Sequence, residues 1–210
     1  MPVYNALVAG IGGQGVITLG TLLKKAALKA GIHVSGSERR GGAQREGHVS
    51  TIIRYQWHED GREADERHEI CSPMLPAGSA HLLIGLEPLE AARLARYLNT
   101  ASTVILNSFP LTPIPVKLGE AKYPPLEVII EMLQRLAKRI YTWNLTEIAR
   151  EEFGHSRAMN AICLGIASRV ADLPVSETSL LAALQEEGRP ADIECFRRGI
   201  SLADAEYGQK

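Results

Sequence analysis

Ala6-Leu7-Val8-Ala9-Gly10-Ile11-Gly12-Gly13-Gln14-Gly15-Val16-Ile17 constrains this chain more than any other stretch. An apolar run of strand type feeds a glycine-rich turn. The turn feeds a helical pattern, with Val16, Leu19, Leu23, Ala26, Ala27 and Ala30 at spacings of three and four. Gly31 then stands where a helix stops. Gly10, Gly12 and Gly15 therefore form G-x-G-x-x-G between a strand and a helix, the context of a phosphate-binding turn. Glycine lets the backbone turn sharply and lets an anion approach it. A helix amino-terminus adds unpaired N–H groups and a positive dipole end. The same spacing also serves a strand-to-helix turn that only packs, and both readings stay open here.

Beyond Gly31, Ile32-His33-Val34-Ser35 reads as a second strand. Gly36-Ser37-Glu38-Arg39-Arg40-Gly41-Gly42-Ala43-Gln44-Arg45-Glu46-Gly47 has four glycines, three arginines and no apolar periodicity, and reads as a structured loop. Its arginines suit phosphate or carboxylate, which a guanidinium grips with two hydrogen bonds. Pairing with Glu38 and Glu46 is the plainer use for them. His48 to Tyr55 is rich in β-branched residues and predicts a third strand. A charged excursion with an Asp60-Gly61 turn follows, a hairpin over about 56–70.

Leu82-Leu83-Ile84-Gly85 and Thr103-Val104-Ile105-Leu106-Asn107 are short apolar runs suited to buried strands. Glu87-Pro88 opens a helix between them. Pro110, Pro113 and Pro115 mark an irregular crossing. Leu126 to Lys138 is helical, and Ile140 to Asn144 is a further strand. Helices follow to Tyr207, with Thr146, Ser156, Ser176 and Asp192 near their starts. Asn160 is the polar member of an apolar helix, either a core amide or a partner for a loop at the binding edge. The alternation predicts an α/β, Rossmann-like three-layer fold with a mostly parallel sheet, as one domain over 1–210 with a helical part over about 145–208. Such a sheet binds at the carboxyl ends of its strands. That brings Gly10 to Gly15, Ser37 to Arg45 and Asn107-Ser108 to one edge.

A formal net charge of -1 gives no general attraction to nucleic acid or an acidic membrane. No apolar run approaches the length of a membrane span. The opening Met1-Pro2-Val3-Tyr4-Asn5 lacks the features of a secretory signal. Cys71, Cys163 and Cys195 are too scattered for a disulfide framework, a zinc site or an iron–sulfur cluster. Buried thiols in a reducing cytoplasm are the expectation. Gly-x-Ser-x-Gly and Gly-Lys-Ser/Thr are absent. Residue by residue, the chain reads as an α/β module with an anion-binding edge, no metal site and no catalytic residue of its own.

Gly10-Ile11-Gly12-Gly13-Gln14-Gly15-Val16 together with Ala43-Gln44-Arg45-Glu46-Gly47 resembles the gamma-type domain of the 2-oxoacid:ferredoxin oxidoreductases. Met159-Asn160-Ala161-Ile162-Cys163-Leu164-Gly165 is similar to an Asn-x-x-x-Leu-Gly helix of that family. The indolepyruvate (arylpyruvate) branch is the nearest, although Arg39-Arg40 looks more like the pyruvate and oxoglutarate branches. The resemblance implies a small subunit, inactive alone, of an enzyme that oxidatively decarboxylates a 2-oxoacid to an acyl-CoA, CO2 and reduced ferredoxin. It implies a large alpha subunit carrying thiamine diphosphate and iron–sulfur clusters, with ferredoxin met through the complex. Without that partner, an exposed apolar face would drive self-association into a homo-oligomer. It further implies coenzyme A at a shared site, met by Gly10, Gly12, Gly13, Gln14 and Gly15, with Ser37, Glu38, Arg39, Arg40, Gln44 and Arg45 along the same edge. The alternative is a free-standing NAD(P)-binding protein, in which Glu38 holds a ribose hydroxyl or Arg39 and Arg40 a 2′-phosphate.

Overall fold

A computed structural model describes residues 2–41, 47–57 and 72–208. Gln44, Arg45, Cys71 and most of the charged excursion lie outside the described residues. Six strands form one sheet: β1 (Val3–Ile11), β2 (His33–Arg40), β3 (His48–Gln56), β4 (Leu82–Gly85), β5 (Thr103–Asn107) and β6 (Arg139–Trp143), in the order β2-β3-β1-β4-β5-β6. β4, β5 and β6 run parallel to β1. β3 is antiparallel to both its neighbours, so it alone runs against the other five.

The helices are α1 (Val16–Lys29), α2 (Pro88–Arg93), α3 (Ile114–Lys117), α4 (Leu126–Gln134), α5 (Leu145–Phe153), α6 (Ala158–Val170), α7 (Glu177–Glu186) and α8 (Pro190–Tyr207). They cover both faces of the sheet. Along β1, Tyr4, Ala6 and Val8 point into a core shared with α1 and α5 to α8. Leu7 and Ala9 point into a second core shared with α2 and α4. This alternation is the period of two that a strand covered on both faces must show. Gly31, at φ 68, ends the first helix as expected. Cys163 and Cys195 are buried free thiols, and burial pushes them up to about 12 and about 11.

Several local expectations are corrected. β2 does not end at Ser35; it continues through Gly36, Ser37, Glu38 and Arg39 to Arg40, every residue paired with β3. Polar side chains suit it because it is an edge strand with a solvent face. Thr146 does not cap α5. Asn144 does, its Oδ1 accepting from Glu147 N–H at 3.1 Å. Ser156 does not cap α6; His155 Nδ1 accepts from Ala158 N–H at 3.2 Å. Ser176 does cap α7. α8 begins at Pro190, where proline's missing N–H costs nothing, rather than at Asp192. α4 closes at Gln134, and the proline-rich crossing holds the short α3.

The dinucleotide alternative fails on topology. It needs the strand after the first helix beside β1. Here β3 intervenes, so Glu38 sits two strands out, about 10 Å away. Glu38 is paired there with Lys24 and Arg40, each at 3.5 Å.

Candidate functional site

From β1, the chain crosses through α1 to one side of the sheet. β4, β5 and β6 extend the other side. The connections diverge between β1 and β4, and the carboxyl ends of strands open a crevice at such a point. A cleft of about 870 Å³ lies there. It is lined by the glycine turn, the amino-terminal part of α1, the crossing Phe109–Pro113, and residues of α2, α5, α6, α7 and α8.

The glycine turn is held from inside. Gln14 Oε1 accepts from Ile11 N–H and Gln14 Nε2 donates to the Leu86 carbonyl, both at 2.8 Å. The Gln14 side chain thus fastens the turn to the end of β4. Gly12 N–H is also taken, by the Gly47 carbonyl at 2.9 Å. Gly10 belongs to the β1 ladder, and a Cβ there would stand 2.7 Å from Gln14 Oε1. Gly13 (φ 95) and Gly15 (φ 79) face the cleft in the left-handed region, where glycine costs least. Their N–H groups and that of Val16 find no partner among the described residues. Of the predicted turn, Gly13 and Gly15 therefore offer donors, while Gln14, Gly12 and Gly10 shape it.

Substituting Gln14→Glu removes the donor to Leu86 and sets a carboxylate against that carbonyl. We expect a loss of about 1–3 kcal/mol in urea unfolding with unchanged m-value. A change below about 0.5 kcal/mol, the size of an ordinary surface substitution, would deny the turn this anchor.

Asn160 sits at the binding edge. It is 9 % exposed, and its Nδ2 donates to the Gly15 carbonyl at 3.4 Å. A Cβ on Gly15 would stand 2.0 Å from that nitrogen, so the closeness of α6 to the turn requires glycine. Asn160 Oδ1 has no partner among the described residues. Asn107 is fully buried and structural: its Nδ2 donates to the Leu86 carbonyl and to Thr146 Oγ1, each at 2.9 Å.

The cleft wall is cationic. Arg93, Lys117, Arg150, Arg157 and Arg189 line it, against the carboxylates of Glu90 and Asp192. Both carboxylates are engaged, Glu90 by Arg93 at 3.3 Å and Asp192 by Arg189 at 3.0 Å. The Arg150 guanidinium lies over the Phe109 ring, 5.2 Å from its centroid. Buried Glu87 holds the Phe109–Pro113 wall: its carboxylate accepts from Tyr123 O–H at 2.5 Å, Glu90 N–H at 2.9 Å and Leu111 N–H at 3.3 Å. Burial pushes the Glu87 carboxyl up.

Ser37, Glu38, Arg39 and Arg40 do not line this cleft. Arg39 and Arg40 end β2 on the same sheet edge, two strands from Gly10. The five cations of the wall carry no common signal in the sequence, because they are scattered over α2 to α8 and meet only in the fold.

With this geometry, comparison with known proteins is informative. The family model described as pyruvate ferredoxin/flavodoxin oxidoreductase matches residues 5–202. The chain belongs to this family. Among curated proteins it is 35% identical over 198 residues to "Indolepyruvate oxidoreductase subunit IorB" of Archaeoglobus fulgidus, covering 94% of this chain and 92% of that protein. It is 34% identical over 204 residues to the protein of the same name from Methanothermobacter thermautotrophicus, covering 95% and 97%. Among solved structures, the gamma subunit of a keto/oxoacid ferredoxin oxidoreductase from Geobacter sulfurreducens superposes with TM-score 0.65 at 19% identity, covering 96% of this chain and 99% of that one. A 2-oxoglutarate:ferredoxin oxidoreductase from Magnetococcus marinus, solved with 2-oxoglutarate, coenzyme A and succinyl-CoA bound, superposes with TM-score 0.67 at 15% identity. This chain covers 98% of itself and 32% of that longer chain. Both superpositions carry the α/β fold.

Proposed function

We propose that this chain is the small subunit of a thiamine diphosphate-dependent 2-oxoacid:ferredoxin oxidoreductase acting on arylpyruvates, and that its cleft receives the phosphates of coenzyme A. The observation that carries the reading is the cleft itself: N–H groups of Gly13, Gly15 and Val16 at the head of α1, without partners among the described residues, facing a wall of five cations. Backbone donors at a helix amino-terminus and guanidinium groups are the two standard devices for holding phosphate. A volume of about 870 Å³ is near the top of the range for small-molecule clefts, as a long nucleotide-bearing ligand requires. Full-length similarity to indolepyruvate oxidoreductase subunits supports the substrate class.

In this reading the large subunit carries the thiamine diphosphate and iron–sulfur clusters and passes electrons to ferredoxin in the cytoplasm. The fit of this chain to coenzyme A rests on the backbone N–H groups of the glycine turn and the five cationic side chains of the wall. Its own residues bind and orient the anionic end. Gln14, Asn107 and Glu87 hold the surfaces that do so.

Purification of the tagged chain from its host tests the proposal. The expected result is a larger partner containing thiamine and iron, and dye reduction that depends on both an arylpyruvate and coenzyme A. A chain that purifies alone, from a host extract with no such activity, would overturn it.

A further inference from the structure

His48 opens β3 and lines the cleft, with its side chain 27% exposed. Its Nδ1 is bonded to Glu90 Oε2, and the Glu90 side chain is 7% exposed. A buried carboxylate at Nδ1 fixes the proton on that nitrogen and leaves the lone pair on Nε2. Among the described residues the partner of Nε2 is the hydroxyl of Ser50, at 3.1 Å. Ser50 is 2% exposed and so is no nucleophile for a bound ligand. Its hydroxyl can rotate away and free the lone pair. The carboxylate–imidazole pair is thus the arrangement of a base with its orienting group, on the wall of the cleft.

Among the described lining residues His48 is the one imidazole. Asp192 is held by Arg189 and Glu90 by Arg93, and the remaining ionisable lining groups are cations. Those cations have a second effect: they favour an anion formed among them. Among the described residues, the charged groups at His48 come from α2, as Glu90 with Arg93 behind it, while its β1 neighbour in the ladder is Ile11.

We propose that His48 is a catalytic base for the thiol of the ligand held in this cleft. The inference rests on the coenzyme A reading given above and names the group that activates its sulfur. The S–H bond breaks and an N–H bond forms at His48 Nε2. The electron pair stays on sulfur as a thiolate, and Glu90 balances the imidazolium. The thiolate then forms a C–S bond to the acyl carbon as the bond from that carbon to its carrier on the large subunit breaks, the electron pair of the broken bond staying with the carrier, and the proton leaves His48 for water.

The test uses the assembled complex. His48→Gln keeps a donor for Glu90 but removes the base. It should lower kcat for the coenzyme A-dependent reaction about 100-fold or more, with KM for coenzyme A changed little. His48→Ala should be equally slow and should recover when imidazole is added. Glu90→Gln should lower kcat while retaining the hydrogen bond. Wild-type kcat in His48→Gln overturns the proposal. So does a loss confined to KM, or one that imidazole does not restore. A wild-type complex whose turnover ignores coenzyme A would sink the underlying functional reading instead.

Discussion

Alanine at Gly165 lowers the thermal midpoint by roughly 6–12 °C, the expected result of about 3 kcal/mol of overpacking in a domain this size. The cause is the crossing of α6 and α8. A Cβ at Gly165 would stand 2.0 Å from the Phe196 carbonyl oxygen, and one at Gly199 would stand 2.1 Å from the Ile162 carbonyl oxygen. Both obstacles are backbone, so no side-chain rotation relieves them. The helices must separate, loosening a core in which Ile162, Ile166 and Phe196 are fully buried. Gly199→Ala should cost a similar amount. The double variant should cost less than the sum, because one separation relieves both clashes. Gly31→Ala is the comparison: it is strained at φ 68 but meets nothing within 4 Å, and should cost about 1 kcal/mol. A Gly165→Ala midpoint no lower than that of Gly31→Ala would show that the helices do not touch as described.

The second large effect is on binding. Arg150→Ala with Arg157→Ala should weaken coenzyme A binding about 30- to 150-fold by calorimetry, two exposed charge-assisted contacts being worth about 2–3 kcal/mol together. The loss should shrink as salt is raised, since screening already weakens these contacts in the wild type. Arg150→Lys should fall between, keeping the charge but giving up the guanidinium stacked on Phe109. Arg198→Ala should bind as the wild type does. Arg198 is also a cation, half-buried, but it is gripped by Glu152 at 2.6 and 2.7 Å and lies outside the cleft lining. Equal losses in Arg198→Ala would reduce the cleft to a general attraction for anions.

The comparison of sequence and structure divides along physical lines. β4 and β5 were legible to the residue, because a strand buried on both faces must be a short continuous apolar run. The glycine turn and α1 were legible because glycine and period-four spacing coincide there. The outer half of β2 was not: Gly36 to Arg40 has no apolar side to show, and its pairing comes from β3, a partner that local pattern does not reveal. Thr146 reads as the cap in sequence, but its hydroxyl is spent on Asn107 and Asn144 caps α5 instead. In the site, the backbone donors at Gly13 and Gly15 followed from the motif. Arg93, Arg150, Arg157 and Arg189 did not, since only tertiary packing gathers them. His48 reads in sequence as the first residue of a strand, and its use depends on Glu90, 42 positions away.

The two cores differ in when they can form. The α2–α4 side draws mainly on residues between Leu7 and Ile140. The other core joins Tyr4 and the first helix to Cys195, Phe196, Leu202 and Ala203. On the ribosome the first side can assemble while the last helix is still unmade. The second must wait for nearly the whole chain, and until then leaves one apolar face of the sheet open to water. Translation therefore builds the molecule from one face to the other. The cleft, whose floor is set by α6 and whose last cation belongs to α8's start, is completed at the end.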